Sequence, residues 1–129
     1  MVFPHRTHPR TILVIDDEET ILEIIQRKLE YRGFTVFTAK GHDQGMILWK
    51  QERWRFDIVL MDINLSTEGE GLDFAQELRT ECPETKVVFI SGIPLAIFKN
   101  PSLVEGYNFL QKPFTFEELM QAVTKHLYF

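Results

Sequence analysis

Three runs of four apolar residues in this chain are closed by an aspartate or a serine. The runs are Ile12-Leu13-Val14-Ile15 before Asp16, Ile58-Val59-Leu60-Met61 before Asp62, and Val87-Val88-Phe89-Ile90 before Ser91. Unbroken runs of this length, rich in Val and Ile, predict strands covered on both faces, as parallel sheets require. The segments between them change period. Ile21, Leu22, Ile25 and Leu29 fall on one side of a helix from Glu19 to Arg32 that Gly33 can end. Met46 and Trp49 mark a helix from His42 to about Arg53, and Leu72, Ala75 and Leu78 one from Gly71 to about Thr80.

Two further strands complete the rhythm, Phe34–Ala39 and a short Tyr107–Leu110. The last helix carries Phe116, Leu119, Val123 and Leu127, and Thr115 and Glu118 stand at capping-box spacing before it. The fourth helical segment, Ile93–Glu105, contains Pro94 and Pro101 and is expected to be short, bent or partly irregular. Five alternations predict an α/β fold: a doubly wound, five-stranded parallel sheet of flavodoxin-like order 2-1-3-4-5 with five helices. Residues 1–10, with Pro4 and Pro9, read as a flexible leader and 11–129 as one domain.

Each polar residue of chemical interest sits at the carboxyl end of a strand, where open parallel sheets bind ligands. Asp16 and Asp17 follow the first strand, Asp62 closes the third, Ser91 closes the fourth, and Lys112 lies just past the fifth. Taken singly, each has an ordinary explanation. The acidic run Asp16–Glu19 can complement a helix N-terminus, Asp62 and Ser91 can leave a strand, and Lys112 can face solvent. Their joint placement outweighs those explanations. Three converging carboxylates repel one another, and a hard divalent cation with oxygen preference relieves that repulsion. Mg²⁺ (or Mn²⁺) there, with Lys112 and the Ser91 hydroxyl, would suit a phosphoryl group carried on an aspartate.

In order and spacing these pieces resemble the response-regulator receiver domain family over about Thr11 to Leu127. They are Ile-Leu-Val-Ile-Asp-Asp-Glu-Glu (12–19), Asp-Ile-Val-Leu-Met-Asp-Ile-Asn-Leu (57–65), Gly-Leu-Asp (71–73), Val-Val-Phe-Ile-Ser-Gly (87–92) and Tyr-Asn-Phe-Leu-Gln-Lys-Pro-Phe (107–114). The resemblance implies that 11–129 is a phosphoacceptor module of a two-component system, with Asp62 as the acceptor. Asp17 would be the direct metal ligand, Asp16 its helper, and Asn64 the residue whose backbone carbonyl completes the metal site. Ser91 and Lys112 would contact the phosphoryl group, and Ser91 and Phe109 would form the switch pair. The Lys112–Pro113 bond would be cis. Its partners would be a sensor histidine kinase or histidine phosphotransfer protein, docking on the side of the first helix, and a downstream effector. The implied output is a change in the face made by the fourth helix, fifth strand and fifth helix. A monomer or weak homodimer is implied, and no enzyme beyond self-phosphorylation and self-dephosphorylation.

The chain departs from the family pattern at Ser66, where proline is usual, in the acidic Ser66–Glu70 loop, and at Ile93, where an apolar residue implies slow self-dephosphorylation. Composition narrows the remaining classes. A net charge of -5 disfavours direct nucleic-acid binding, and the sequence has no apolar run long enough to span a bilayer. The single Cys82 and the lack of a secretory h-region point to the cytoplasm. A flavodoxin-like cofactor binder would want a Ser/Thr/Gly-rich loop after the first strand in place of Asp16-Asp17-Glu18-Glu19, and an aspartate phosphohydrolase an Asp-x-Asp there. The runner-up is a pseudo-receiver that binds proteins without being phosphorylated.

Overall fold

The computed structural model describes residues 10–52, 56–63 and 70–127, the side chains of 70–73 excepted. Asn64, the loop from Ser66 to Gly69, most of the leader and the Leu72 side chain therefore lie outside the described residues. The elements are β1 (Thr11–Ile15), α1 (Glu19–Tyr31), β2 (Thr35–Ala39), α2 (His42–Glu52), β3 (Ile58–Asp62), α3 (Glu70–Glu81), β4 (Lys86–Ser91), α4 (Leu95–Phe98), β5 (Phe109–Gln111) and α5 (Phe116–Leu127). All strand pairings are parallel, and the sheet order is β2-β1-β3-β4-β5. Among the described residues no helix is long and apolar enough to cross a membrane.

The two faces of the sheet bury separate cores, because successive strand residues point to opposite sides. Ile12 and Val14 of β1 pack with Leu22, Ile25 and Leu29 of α1 and Leu119, Ala122 and Val123 of α5. Leu13 and Ile15 pack on the other side with Trp49 of α2 and Phe74, Ala75 and Leu78 of α3. The start of β1 is pinned to its neighbour: the Thr11 N–H donates to Asp57 Oδ2 at 2.8 Å, and the Asp57 N–H donates back to the Thr11 carbonyl at 2.8 Å. The predicted capping box at α5 is present in both directions, Thr115 N–H to Glu118 Oε1 at 2.8 Å and Glu118 N–H to Thr115 Oγ1 at 3.0 Å.

Helix α2 packs against Ile15 and Phe74 at Gly45, where there is no room for a side chain. A Cβ at Gly45 would lie 2.5 Å from Ile15 Cδ1 and 3.3 Å from Phe74 Cε2. Both of those side chains are buried, so neither can swing clear. Gly45→Leu is expected to lose about 2 kcal/mol in urea unfolding, despite leucine's better helix propensity, because an overpacked core must shift backbone. A variant as stable as the parent would show that α2 can lift without cost.

Helix α4 is only four residues long, in agreement with the two prolines, and it ends at Lys99 with φ +48°. Side chains hold the loop from there to β5. Asn100 Oδ1 accepts the Ser102 N–H at 3.0 Å, and Asn108 spans the turn, taking the Val104 N–H and giving its Nδ2–H to the Ser102 carbonyl at 2.9 Å. This corrects the expected fifth strand. Tyr107 and Asn108 belong to the turn, and β5 begins at Phe109 and runs through Gln111. Asn108 spends its side chain on closing the loop, while Gln111, exposed and polar, pairs by backbone with Ser91.

Candidate functional site

The strand ends bring the acidic residues together at one edge of the sheet. β1 and β3 are adjacent, so residues just past Ile15 and at Asp62 share that edge. Asp16, Asp17 and Asp62 each present a carboxylate oxygen, and the three lie within 4.8 Å of one another. Their surroundings differ. Asp16 is buried, at 1% exposure, and accepts the Glu18 N–H at 2.8 Å through Oδ1. Asp17 is exposed, and the Asp62 side chain is 14% exposed.

Lys112 reaches back over this cluster from beyond β5. Its Nζ donates to Asp16 Oδ2 at 2.9 Å and stands 3.5 Å from Asp62 Oδ1 and 3.7 Å from Glu18 Oε1. The Lys112 N–H donates to the Ser91 carbonyl at 2.7 Å, which seats the lysine against the end of β4. The Lys112–Pro113 peptide bond is cis, as expected. Ser91 is fully buried, and its Oγ accepts the Ile93 N–H at 2.9 Å. Phe109 is also fully buried, with its ring edge-on to Phe98 of α4 at 5.7 Å. Asn64 lies outside the described residues.

The electrostatics follow from this crowding. Burial, then the charge of Asp16, lift the Asp62 carboxyl from 3.8 to about 6; Lys112 pulls it down and Asp17 pushes it up further. Burial opposes the charge on Lys112, but its hydrogen bond to Asp16 and the charges of Asp62, Asp16 and Glu18 prevail and hold it above the ordinary lysine value. One ammonium thus serves three carboxylates and does not neutralise them. The remaining negative charge, borne by hard oxygens on short tethers, fits a Mg²⁺-type ion held by one or two carboxylates with the rest of its shell water or phosphate. Asp16, Asp17 and Asp62 are the described residues that could hold it.

One contact at the site was not legible in the sequence. The His42 ring, in the first turn of α2, reaches the Asp62 backbone carbonyl, with Nε2 at 2.8 Å. No periodicity or spacing signals a side chain that crosses from one βα unit to the backbone of another.

Comparison with known proteins agrees with this arrangement. At 30% identity, residues of this chain match the sensor kinase CckA of Brucella abortus, over 91% of this chain and 12% of that protein. The alginate biosynthesis transcriptional regulatory protein AlgB of Pseudomonas aeruginosa matches at 31% identity over 90% of this chain and 25% of that protein. The chain thus spans a quarter or less of the length of these two relatives. Among solved structures, a response regulator receiver protein from Sinorhizobium medicae superposes with a TM-score of 0.79 at 28% identity, covering 92% of this chain and 94% of that one. The response regulator TrrA of Thermotoga maritima, determined in complex with Mg²⁺-BeF, gives a TM-score of 0.74 at 27% identity, covering 91% of this chain and 98% of that one. Residues 12–124 match the family described as the response regulator receiver domain, and with the sheet order and the strand-end cluster in accord, the chain belongs to that family.

Proposed function

We propose that this receiver domain accepts a phosphoryl group on Asp62 in a reaction that depends on a divalent cation. The observation that carries this reading is the meeting of three carboxylates within 4.8 Å under a lysine ammonium 2.9 Å from Asp16 and 3.5 Å from Asp62. A scaffold used only for binding has no need of so costly a cluster. Asp62 supplies the nucleophilic oxygen. A new O–P bond forms at its carboxylate as the bond from phosphorus to the donor's leaving group breaks, and the donor departs with that electron pair. Lys112 offers positive charge to the equatorial oxygens, and the Ser91 hydroxyl lies at the neighbouring strand end to take one of them. A bound Mg²⁺ (or Mn²⁺), held by Asp16, Asp17, Asp62 and the Asn64 carbonyl, would neutralise charge on the phosphoryl oxygens.

The donor is a histidine kinase or histidine phosphotransfer protein acting in the cytoplasm. A groove of about 220 Å³ lined by Ile21, Ile24, Ile25, Pro113 and Phe114 runs beside Lys112 and supports docking of a partner helix on the α1 side. Phosphorylation draws Ser91 toward the phosphate and repopulates Phe109, whose ring now packs on Phe98, so the α4–β5–α5 face changes. That face exposes Ile97, Val104 and Tyr107.

The test is intact mass after incubation with acetyl phosphate, with and without Mg²⁺, beside Asp62→Asn. One phosphoryl group gained only with both Mg²⁺ and Asp62 is expected. Gain by the Asp62→Asn variant would move the acceptor elsewhere. No gain by the parent from acetyl phosphate, nor from a phosphorylated histidine donor, would reduce the domain to a protein-binding module.

A further inference from the structure

We infer that His42 is a positioning residue for phosphoryl acceptance, fixing the backbone of Asp62 so that its carboxylate faces the cluster; this rests on the reading of Asp62 as the acceptor. His42 opens α2, after β2, whereas Asp62 ends β3, and β1 lies between those strands. The ring therefore crosses above the end of β1 to reach Asp62. Two glycines allow it. Gly41, at φ +107°, turns the chain immediately before His42. Gly45 lets the first turn of α2 settle against Ile15, the last residue of β1.

The carbonyl that His42 reaches needs such a partner. The β1–β3 register runs only to Ile15 opposite Met61. One residue later the Asp16 N–H faces β2, where it donates to the Ala39 carbonyl at 3.1 Å, so it does not serve Asp62. A carbonyl oxygen only accepts, so the His42 Nε2 carries the hydrogen in this 2.8 Å bond. On the other side, the Ile63 N–H donates to the Ile90 carbonyl of β4 at 2.8 Å.

Those two bonds hold opposite ends of one peptide plane, because the Asp62 C=O and the Ile63 N–H belong to the same rigid unit. Clamping that plane from α2 and from β4 sets ψ of Asp62 and with it the direction of its Cα–Cβ bond. Asp62 needs the restraint. Asp16 and Asp17 repel its carboxylate and Lys112 attracts it, so without a fixed backbone the nucleophile would settle where electrostatics sends it and not where an in-line attack requires it.

The experiment compares the full chain with His42→Gln, which keeps an N–H donor at similar reach, and His42→Leu, which does not. Phosphoryl gain from acetyl phosphate is timed at saturating Mg²⁺ and donor, and the Ile63 amide is followed by ¹H–¹⁵N spectra. His42→Leu is expected to slow the saturated rate by about tenfold and His42→Gln by less than about twofold, since small displacements of a reacting group carry large rate costs. The Ile63 amide should move in His42→Leu and return in His42→Gln. A purely structural His42 would lower the melting temperature and leave the saturated rate unchanged, and that result overturns the inference. Equal rate losses in both variants also overturn it. If His42→Leu does not fold, a long-range ¹H–¹⁵N spectrum of the parent decides, because a ring without a hydrogen on Nε2 cannot make this bond. A parent chain that takes no phosphoryl group, while its Ile63 amide still responds to His42, discards the acceptor reading and the catalytic part of the inference with it. A phosphorylated parent matched by His42→Leu discards the inference alone.

Discussion

With Lys112 replaced by alanine, phosphoryl gain from a small donor slows by about a hundredfold, the size of loss seen when one charge-stabilising donor leaves a transition state. The same change weakens the metal-free fold by about 2 kcal/mol, because Asp16 is left as a buried carboxylate without its ion-pair partner. Asp16 at 1% exposure cannot turn to solvent, and its remaining hydrogen bond within the site comes from the Glu18 amide. Asp62 also loses the charge and hydrogen bond of Lys112 that pull its carboxyl down, so it becomes harder to ionise. Mg²⁺ should return part of the lost stability, since a cation among the carboxylates replaces the missing charge. It should not return the rate, because the ammonium over Asp62 is a separate contact. Urea unfolding with and without Mg²⁺, together with timed intact-mass measurements, would separate the two losses. A variant phosphorylated at the parent's rate would show that Lys112 holds Asp16 in place and nothing more.

Asp62→Asn should make the metal-free protein more stable at neutral pH while abolishing phosphorylation. The folded chain holds the Asp62 proton up to about 6, whereas the ordinary carboxyl releases it at 3.8. The folded state therefore binds this proton more tightly than the unfolded one. The contribution of Asp62 favours folding at pH values below its unfolded pKa, is lost as pH rises through the folded value, and is a constant penalty above that. Asparagine does not ionise and escapes the penalty, which is worth about 2 kcal/mol once solvent screening is allowed for. Urea midpoints of parent and variant should coincide below pH 3.8, draw apart as pH rises to about 6, and stay apart above it with the variant ahead. Saturating Mg²⁺ should reverse that order, because the ionised cluster then binds the metal and gains stability by mass action. A variant no more stable than the parent at neutral pH without metal would mean that the three carboxylates do not strain the fold.

What could be read in the sequence depended on how far each feature is carried by local pattern. The apolar runs 12–15, 58–61 and 87–90 all lie within β1, β3 and β4, because strands buried on both faces leave unbroken apolar runs. The four-residue α4 was announced by Pro94 and Pro101. The fifth strand begins two residues later, and ends one residue later, than its apolar content suggested. At the sheet edge the pairing is set by backbone, and Asn108, strand-like in its neighbours, is taken up by the turn. The site residues Asp16, Asp17, Asp62 and Lys112 were legible because each follows a recognisable strand, and the structure brings them together. Their unequal burial was not legible, since Asp16 and Asp17 are adjacent and chemically identical. The reach of His42 to Asp62 and the contact of Gly45 with Ile15 were hidden for the same reason: both arise only when α2 lies down across the end of β1.

The position of β1 has a consequence for how the chain is made. Of the five strands of this sheet it is made first, yet it belongs to the interior, between β2 and β3. β2 can cover one edge early, but the other waits for β3, and the bond that joins the two strands at their start links Thr11 to Asp57, 46 positions away. Until then a strand of Ile, Leu, Val and Ile offers an unpaired edge, the surface through which nascent chains associate wrongly. A ribosome stalled before Ile58 would thus carry a sticky nascent chain, and release from that hazard comes with a single event, the emergence of the strand that ends in Asp62.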